Sequence, residues 1–198
     1  MKSIGITGGI GSGKSFVCSL FEKLGYAIYS ADARARILMT EDAVLVAGVK
    51  DLFGEQAYLP DGSLNRALIG GIVFHDADKL AQLNALVHPA TGRDYLAWHE
   101  KVAQSDYDKA FALKEAAILF ESGAYKTSNG VISVYAPKQL RLERVMARDK
   151  VKKEAVEARM RKQWPEIEKQ RRADFLFIND GLHHLLPQVK AAIQFFSN

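Results

Sequence analysis

A single cysteine in 198 residues, Cys18, excludes an internal disulfide, so the stability of this chain must come from burial. No apolar run approaches the roughly 20 residues of a membrane-spanning helix. The N-terminus offers Lys2 and then glycines where a secretory signal carries its apolar stretch, and the expectation is a cytoplasmic protein that does not engage a membrane. Internal repeats and low-complexity tracts are also missing. What remains, 48% hydrophobic and 25% charged, is the composition of one globular folding unit with a sizeable core. Cys18 stands beside Val17 in a helical pattern and reads as a small buried hydrophobe.

Glycine, by contrast, is locally in excess. "GITGGIGSGKSF" (Gly5 to Phe16) sets Gly5, Gly8, Gly9, Gly11 and Gly13 within nine positions, although glycine loses more entropy on folding than any other residue. Gly8 to Ser15 fits G-x-x-x-x-G-K-S, between the apolar "SIGIT" (Ser3 to Thr7) and a helical pattern of Val17, Leu20, Phe21 and Leu24. Such a loop turns successive N–H groups around a phosphate, and the following helix adds the partial charge of its N-terminus. Gly8, Gly9, Gly11, Ser12 and Gly13 would form the cradle. Lys14 would reach the β- and γ-phosphates and the Ser15 hydroxyl would ligate Mg²⁺.

Further apolar runs at "YAIYS" (Tyr26 to Ser30), "AFAL" (Ala110 to Leu113), "VISVY" (Val131 to Tyr135) and "FLFI" (Phe175 to Ile178) alternate with helical patterns. The expectation is an α/β fold: a five-stranded, mostly parallel sheet flanked by helices. About 80 residues without a convincing strand separate the second and third strands, far more than a crossover needs, and predict a helical insertion. "LPDGSLN" (Leu59 to Asn65) and the pair His88, Pro89 are read as breaks within it. A second helical stretch, Lys138 to Arg172, is interrupted at Pro165.

The net charge of +4 is unevenly spread, because Arg141 to Arg172 holds 12 Lys/Arg against 6 Asp/Glu. That run is either a solvated helix face or an anion-binding surface. The chain has no N-K-x-D, no L-S-G-G-Q and no apolar strand ending in Asp-Glu, which leaves a kinase of a small acceptor as the leading class. A nucleic-acid-associated ATPase is the alternative suggested by a pI near 9.1. It predicts steeply salt-dependent polynucleotide binding.

"IGITGGIGSGKS", "YSADARAR", "LNALVHP", "AILFESG", "QLRLERVMARD" and "RADFLFINDG" together resemble the ordered motifs of the dephospho-coenzyme A kinases, across nearly the whole chain. The resemblance implies a P-loop kinase fold that uses ATP to phosphorylate the ribose 3′-hydroxyl of dephospho-coenzyme A, with no nucleic-acid partner. A P-loop kinase of another nucleoside or nucleotide is the nearer alternative. The implied layout has a nucleotide-binding core at 1–40, 106–137 and 173–198, a helical acceptor-binding insertion at 41–105, and a helical lid at 138–172. Phe16 stands where the family usually has threonine, keeping the N–H and losing the hydroxyl. Glu115 occupies the position of a family aspartate and Ala117 that of a proline; Glu115 would hold Mg²⁺ through water.

On this resemblance Asp32 orients and deprotonates the acceptor hydroxyl, while Arg144 and Arg148 meet the ATP phosphates, Arg148 at the transferring group. Arg141 lies one turn before Arg144 on the same side. His88 and Arg93 would face the acceptor, and Asn179 and Gly181 the adenine. Each has a plainer reading. Asp32 suits a helix N-cap, Arg148 a salt bridge to Glu143 or Asp149, His88 a cap before Pro89, and Asn179 with Gly181 a turn. His183 and His184 read as surface residues, and Trp98 and Trp164 as packing.

Overall fold

The computed structural model describes every residue from Met1 to Asn198. Two compact units are formed, Met1–Ser30 with Val102–Asn198, and Ala31–Lys101. The first contains β1 (Lys2–Thr7), β2 (Ile28–Ser30), β3 (Phe111–Glu115), β4 (Gly130–Tyr135) and β5 (Phe175–Ile178), in the order β2-β3-β1-β4-β5. All four pairings are parallel. Strands covered on both faces must be apolar nearly throughout, and β1 buries five of its six residues and β3 all five. The five runs read from the sequence are these five strands. Their register brings Ile6 of β1 and Ser30 of β2 to either side of Glu115, at the carboxyl edge where open α/β sheets bind ligands.

The helices α1 (Lys14–Lys23) and α9 (Leu185–Ser197) supply Val17, Phe21, Val189 and Phe196 to a core with Ile4, Ile6, Leu113, Ile132 and Phe177. Phe21 is fully buried and meets Tyr26 and Phe177 edge-on, with ring centroids 5.7 and 6.1 Å away. Truncating such a ring to alanine costs about 3–5 kcal/mol. Following β4, α6 (Lys138–Asp149), α7 (Lys153–Arg161) and α8 (Glu166–Arg172) form the basic segment, with Pro165 as the N-cap of α8. Leu142 and Val145 of α6 close on Val156 of α7, and Ile10 packs against this small cluster.

The second unit holds α2 (Ala31–Glu41), α3 (Ala43–Phe53), α4 (Arg66–His75) and most of α5 (Ala77–Ala103). Leu38, Leu45, Val49, Phe53, Ile69, Leu83 and Ala90 make its own core. Asp42 caps α3 by accepting from Leu45 N–H at 2.8 Å, and Asn65 caps α4 by accepting from Leu68 N–H at 3.2 Å. "LPDGSLN" is the turn it was read as, closed by a bridge between Tyr58 and Leu64. The reading of a break at His88 and Pro89 is corrected: α5 runs through both as one helix. A proline removes one N–H and crowds one carbonyl, and burial of Leu83 and Ala90 on either side outweighs that local cost. His88 is therefore inside a helix and caps nothing.

Candidate active site

Residues 8–13 connect β1 to α1. Gly13 is the N-cap of α1 at φ 92°, a left-handed conformation that suits glycine, and without a side chain it leaves the first-turn amides of Lys14, Ser15 and Phe16 facing outward. Unbonded amides at a helix start suit an anion. The Lys14 ammonium is buried and donates to the Gly8 carbonyl at 3.0 Å, which holds it across the mouth of the loop. The Phe16 ring, by contrast, is 58% exposed.

Glu115 ends β3 with only 8% of its surface exposed. The Ser30 hydroxyl donates to its Oε2 at 2.9 Å and the Ser15 hydroxyl to its Oε1 at 3.4 Å. One carboxylate is thus aimed at the loop by two hydroxyls. The oxygen-only donor set of Ser15 and Glu115 suits Mg²⁺, which keeps several waters and takes one or two protein ligands beside the phosphates. Ser30 was not singled out from the sequence, because nothing in "YSAD" reveals a partner 85 residues away. Cys18, one turn into α1, is buried as expected; burial raises its thiol pKa, Glu115 raises it further and Lys14 pulls it back, so the thiol stays protonated and inert.

On the opposite side of the loop, Asn179 Nδ2 donates to the Ser12 carbonyl at 2.8 Å, while Arg144 donates to the Asn179 carbonyl at 3.1 Å. Gly181 turns the chain at φ 88°. Asp180 between them accepts from the backbone N–H groups of His183 and Leu182, and these bonds hold its pKa down at about 2. Asn179 is thus bonded both to the loop between β1 and α1 and to Arg144 of α6.

The three arginines of α6 separate. Arg141 is buried, its Nε donating to the Ala136 carbonyl at 3.1 Å and its Nη1 lying 3.6 Å from Glu166. Gly9 is packed so closely against that ion pair that a Cβ there would strike both side chains. Arg148 is exposed and forks onto Asp149 through Nε at 2.7 Å and Nη2 at 3.2 Å. Arg159 reaches the same carboxylate at 2.7 Å, and the pair lowers the Asp149 pKa to about 2. The salt bridge that the plainer reading offered for Arg148 is present, with Nη1 of its fork left over.

In the helical unit, Asp32 is the second residue of α2 and exposed. Ser30, directly before the helix, has its hydroxyl on Glu115, and Asp32 lies past the capping position. Arg34, which the sequence reading passed over, makes a two-pronged bond to Asp94 at 2.9 and 2.6 Å and fixes α2 against α5. Arg93 lies 3.5 Å from Asp42 and remains largely exposed. His88 keeps an exposed outer face, while partial loss of hydration lowers its pKa and leaves the imidazole neutral at pH 7.

No group of three or more His, Cys, Asp or Glu side chains forms a metal cage, and no helix is long and apolar enough to cross a membrane. Residues 2–184 match the family model described as dephospho-CoA kinase. A dephospho-CoA kinase of Chlorobaculum tepidum is 39% identical, the match covering 96% of this chain and 93% of the relative. Among solved structures, TT1252 from Thermus thermophilus superposes with a TM-score of 0.80 at 34% identity, covering 98% of this chain and 95% of that one. The dephospho-CoA kinase from Campylobacter jejuni follows with a TM-score of 0.70 at 28% identity, covering 98% and 96%. A match of this extent places the chain in the dephospho-CoA kinase family.

Proposed function

We propose that this protein transfers the γ-phosphoryl group of ATP to the ribose 3′-hydroxyl of dephospho-coenzyme A, the last step in making coenzyme A. The observation that carries this reading is the meeting of Lys14, Ser15 and the buried Glu115 at the carboxyl edge of the sheet, in a chain matched by the family model over residues 2–184. The loop amides and Lys14 would bind the β- and γ-phosphates, and Lys14 would exchange its bond to Gly8 for phosphate oxygens. Ser15 would hold Mg²⁺ directly and Glu115 through water; the ion, when bound, spreads the charge that develops on the phosphate oxygens.

The acceptor hydroxyl would lose its proton to Asp32, whose carboxylate is not engaged as a cap. His88 and Arg93 would contact the acceptor from α5. Arg144, Asn179 and Gly181 would border the adenine side. Residues 138–172 would act as a lid, with Arg148 bringing Nη1 to the transferring group while Asp149 holds the guanidinium plane. A cytoplasmic location fits a small-molecule substrate of this kind.

The deciding experiment is mass spectrometry of products after incubating the purified protein with ATP and dephospho-coenzyme A. Coenzyme A is the expected product. Its absence, or faster phosphorylation of a nucleoside or nucleotide under the same conditions, would overturn the reading.

A further inference from the structure

We propose that Gln163, in the linker between α7 and α8, is a positioning residue that couples the lid to the tip of the phosphate loop. Its carboxamide lies between two backbone groups of different elements. Oε1 accepts from the Ile10 N–H at 2.8 Å, and Nε2 donates to the Ala117 carbonyl, just beyond β3, at 3.3 Å. The opposite orientation of the amide would set donor against donor and acceptor against acceptor, so the chemistry of the two partners fixes it. A carboxamide gives one donor and one acceptor without placing a charge beside the phosphates.

Both ends of this bridge are anchored. At the loop end, Ile10 packs against Leu142, Val145 and Val156, and Gly9 lies against the Arg141–Glu166 pair. At the other end, the Ala117 carbonyl also receives Lys169 Nζ at 3.1 Å and the Thr7 hydroxyl at 3.5 Å. Lys169 is fully buried and pairs with Glu121 at 2.8 Å, and Glu121 accepts the Trp164 N–H at 2.8 Å. Thr7 is the last residue of β1, directly before the loop. One carbonyl therefore gathers the strand that enters the loop, the end of β3 and the linker of the lid, and Gln163 carries that connection across to the loop tip. A lid that shifts must take Ile10 with it or break the Gln163 bond.

The consequence for the reaction is a dependence of loop geometry on the linker. Transfer of a phosphoryl group depends on positioning, and a misplacement of about 1 Å can cost 10²-fold in rate. Gln163→Met keeps length and volume and removes both hydrogen bonds. The expected result is a kcat about tenfold lower and a raised KM for ATP, with KM for dephospho-coenzyme A within twofold of wild type. Exchange of the Ile10 amide in isotopically labelled protein should be slow in the wild type and about tenfold faster in the variant.

A purely structural role would lower the melting temperature and leave kcat, measured well below it, unchanged; that outcome overturns the proposal. Unprotected exchange of the Ile10 amide in the wild type also overturns it, and this measurement stands even if the variant does not fold. The proposal rests on the kinase reading above, and the two fail separately. An inactive wild type refutes that reading, whereas a variant as active as an active wild type refutes this one.

Discussion

The two ends of α6 carry arginines seven positions apart that do opposite things. At the N-terminal end, the Arg141 side chain is 8% exposed, bonded to Ala136 and paired with Glu166 against Gly9. At the C-terminal end, the Arg148 side chain is 63% exposed and shares Asp149 with Arg159. A buried guanidinium that loses its partner costs several kcal/mol, while an exposed pair is screened by water. Positive charge in this segment is thus of two kinds: one is buried and packed against the phosphate loop, and the other is exposed and held by a surface carboxylate.

The largest expected effect lies beside the buried end. Lys14→Ala should abolish turnover and leave the fold intact, because no other side chain can stand between the β- and γ-phosphates. Residual activity within tenfold of wild type, in a sample free of other kinases, would contradict it. Asp32→Asn would break the equation of burial with importance, since Asp32 is exposed. Its kcat should fall by roughly 10² to 10⁴, the scale of a positioned acid or base, with little change in ATP affinity. A kcat near wild type would return Asp32 to an ordinary surface residue.

Arg141→Met tests the buried end itself. It strands Glu166, whose Oε2 already lacks a partner in the chain, and should lower stability by about 3–5 kcal/mol in denaturant titration. Even Arg141→Lys should be costly here, because one ammonium cannot reproduce the bonds to both Ala136 and Glu166. Arg141 lies one turn before Arg144 on the helix, and burial beside Glu166 sets it apart. A small loss for Met would show that the pair contributes little to the loop.

Arg148→Lys should invert this pattern. Its kcat should drop by about tenfold, because an ammonium lacks the planar fork, while the melting temperature hardly moves. Equal and near-wild-type kcat would remove Arg148 from the mechanism. Asp149→Asn should be the mildest, with a smaller loss of kcat than Arg148→Lys, because the carboxamide oxygen still accepts one of the two guanidinium bonds that orient Arg148. The Asp149 pKa is depressed in the folded state, so its contribution to stability is present above the ordinary aspartate pKa and is lost as pH falls through about 2. Acid titration should therefore show the wild type and this variant converging only below the ordinary aspartate range.

The loop, the five strands and the helical insertion are all legible in the sequence for local reasons. Glycine spacing fixes the turn, apolar runs of strand length fix the sheet, and 80 residues without such a run leave room only for helices. Pro89 misled because proline is punctuation only when packing does not oppose it, and here Leu83 and Ala90 do. The second tier of the site had no local signal. Ser30, Glu121, Gln163 and Lys169 are ordinary polar residues in sequence, and each gains its role from a partner brought near by the fold.

Composition and spacing by themselves determined that this is a parallel α/β protein with a phosphate loop, because those properties follow from backbone conformation and side-chain periodicity within a few residues. Only the tertiary structure decided which of twelve basic residues in one run are buried and which are exposed. It alone decided that Glu115 is held by two hydroxyls and that a glutamine spans the gap between Ile10 and Ala117. Those outcomes depend on distance and desolvation between residues far apart in the chain, and a linear pattern carries neither.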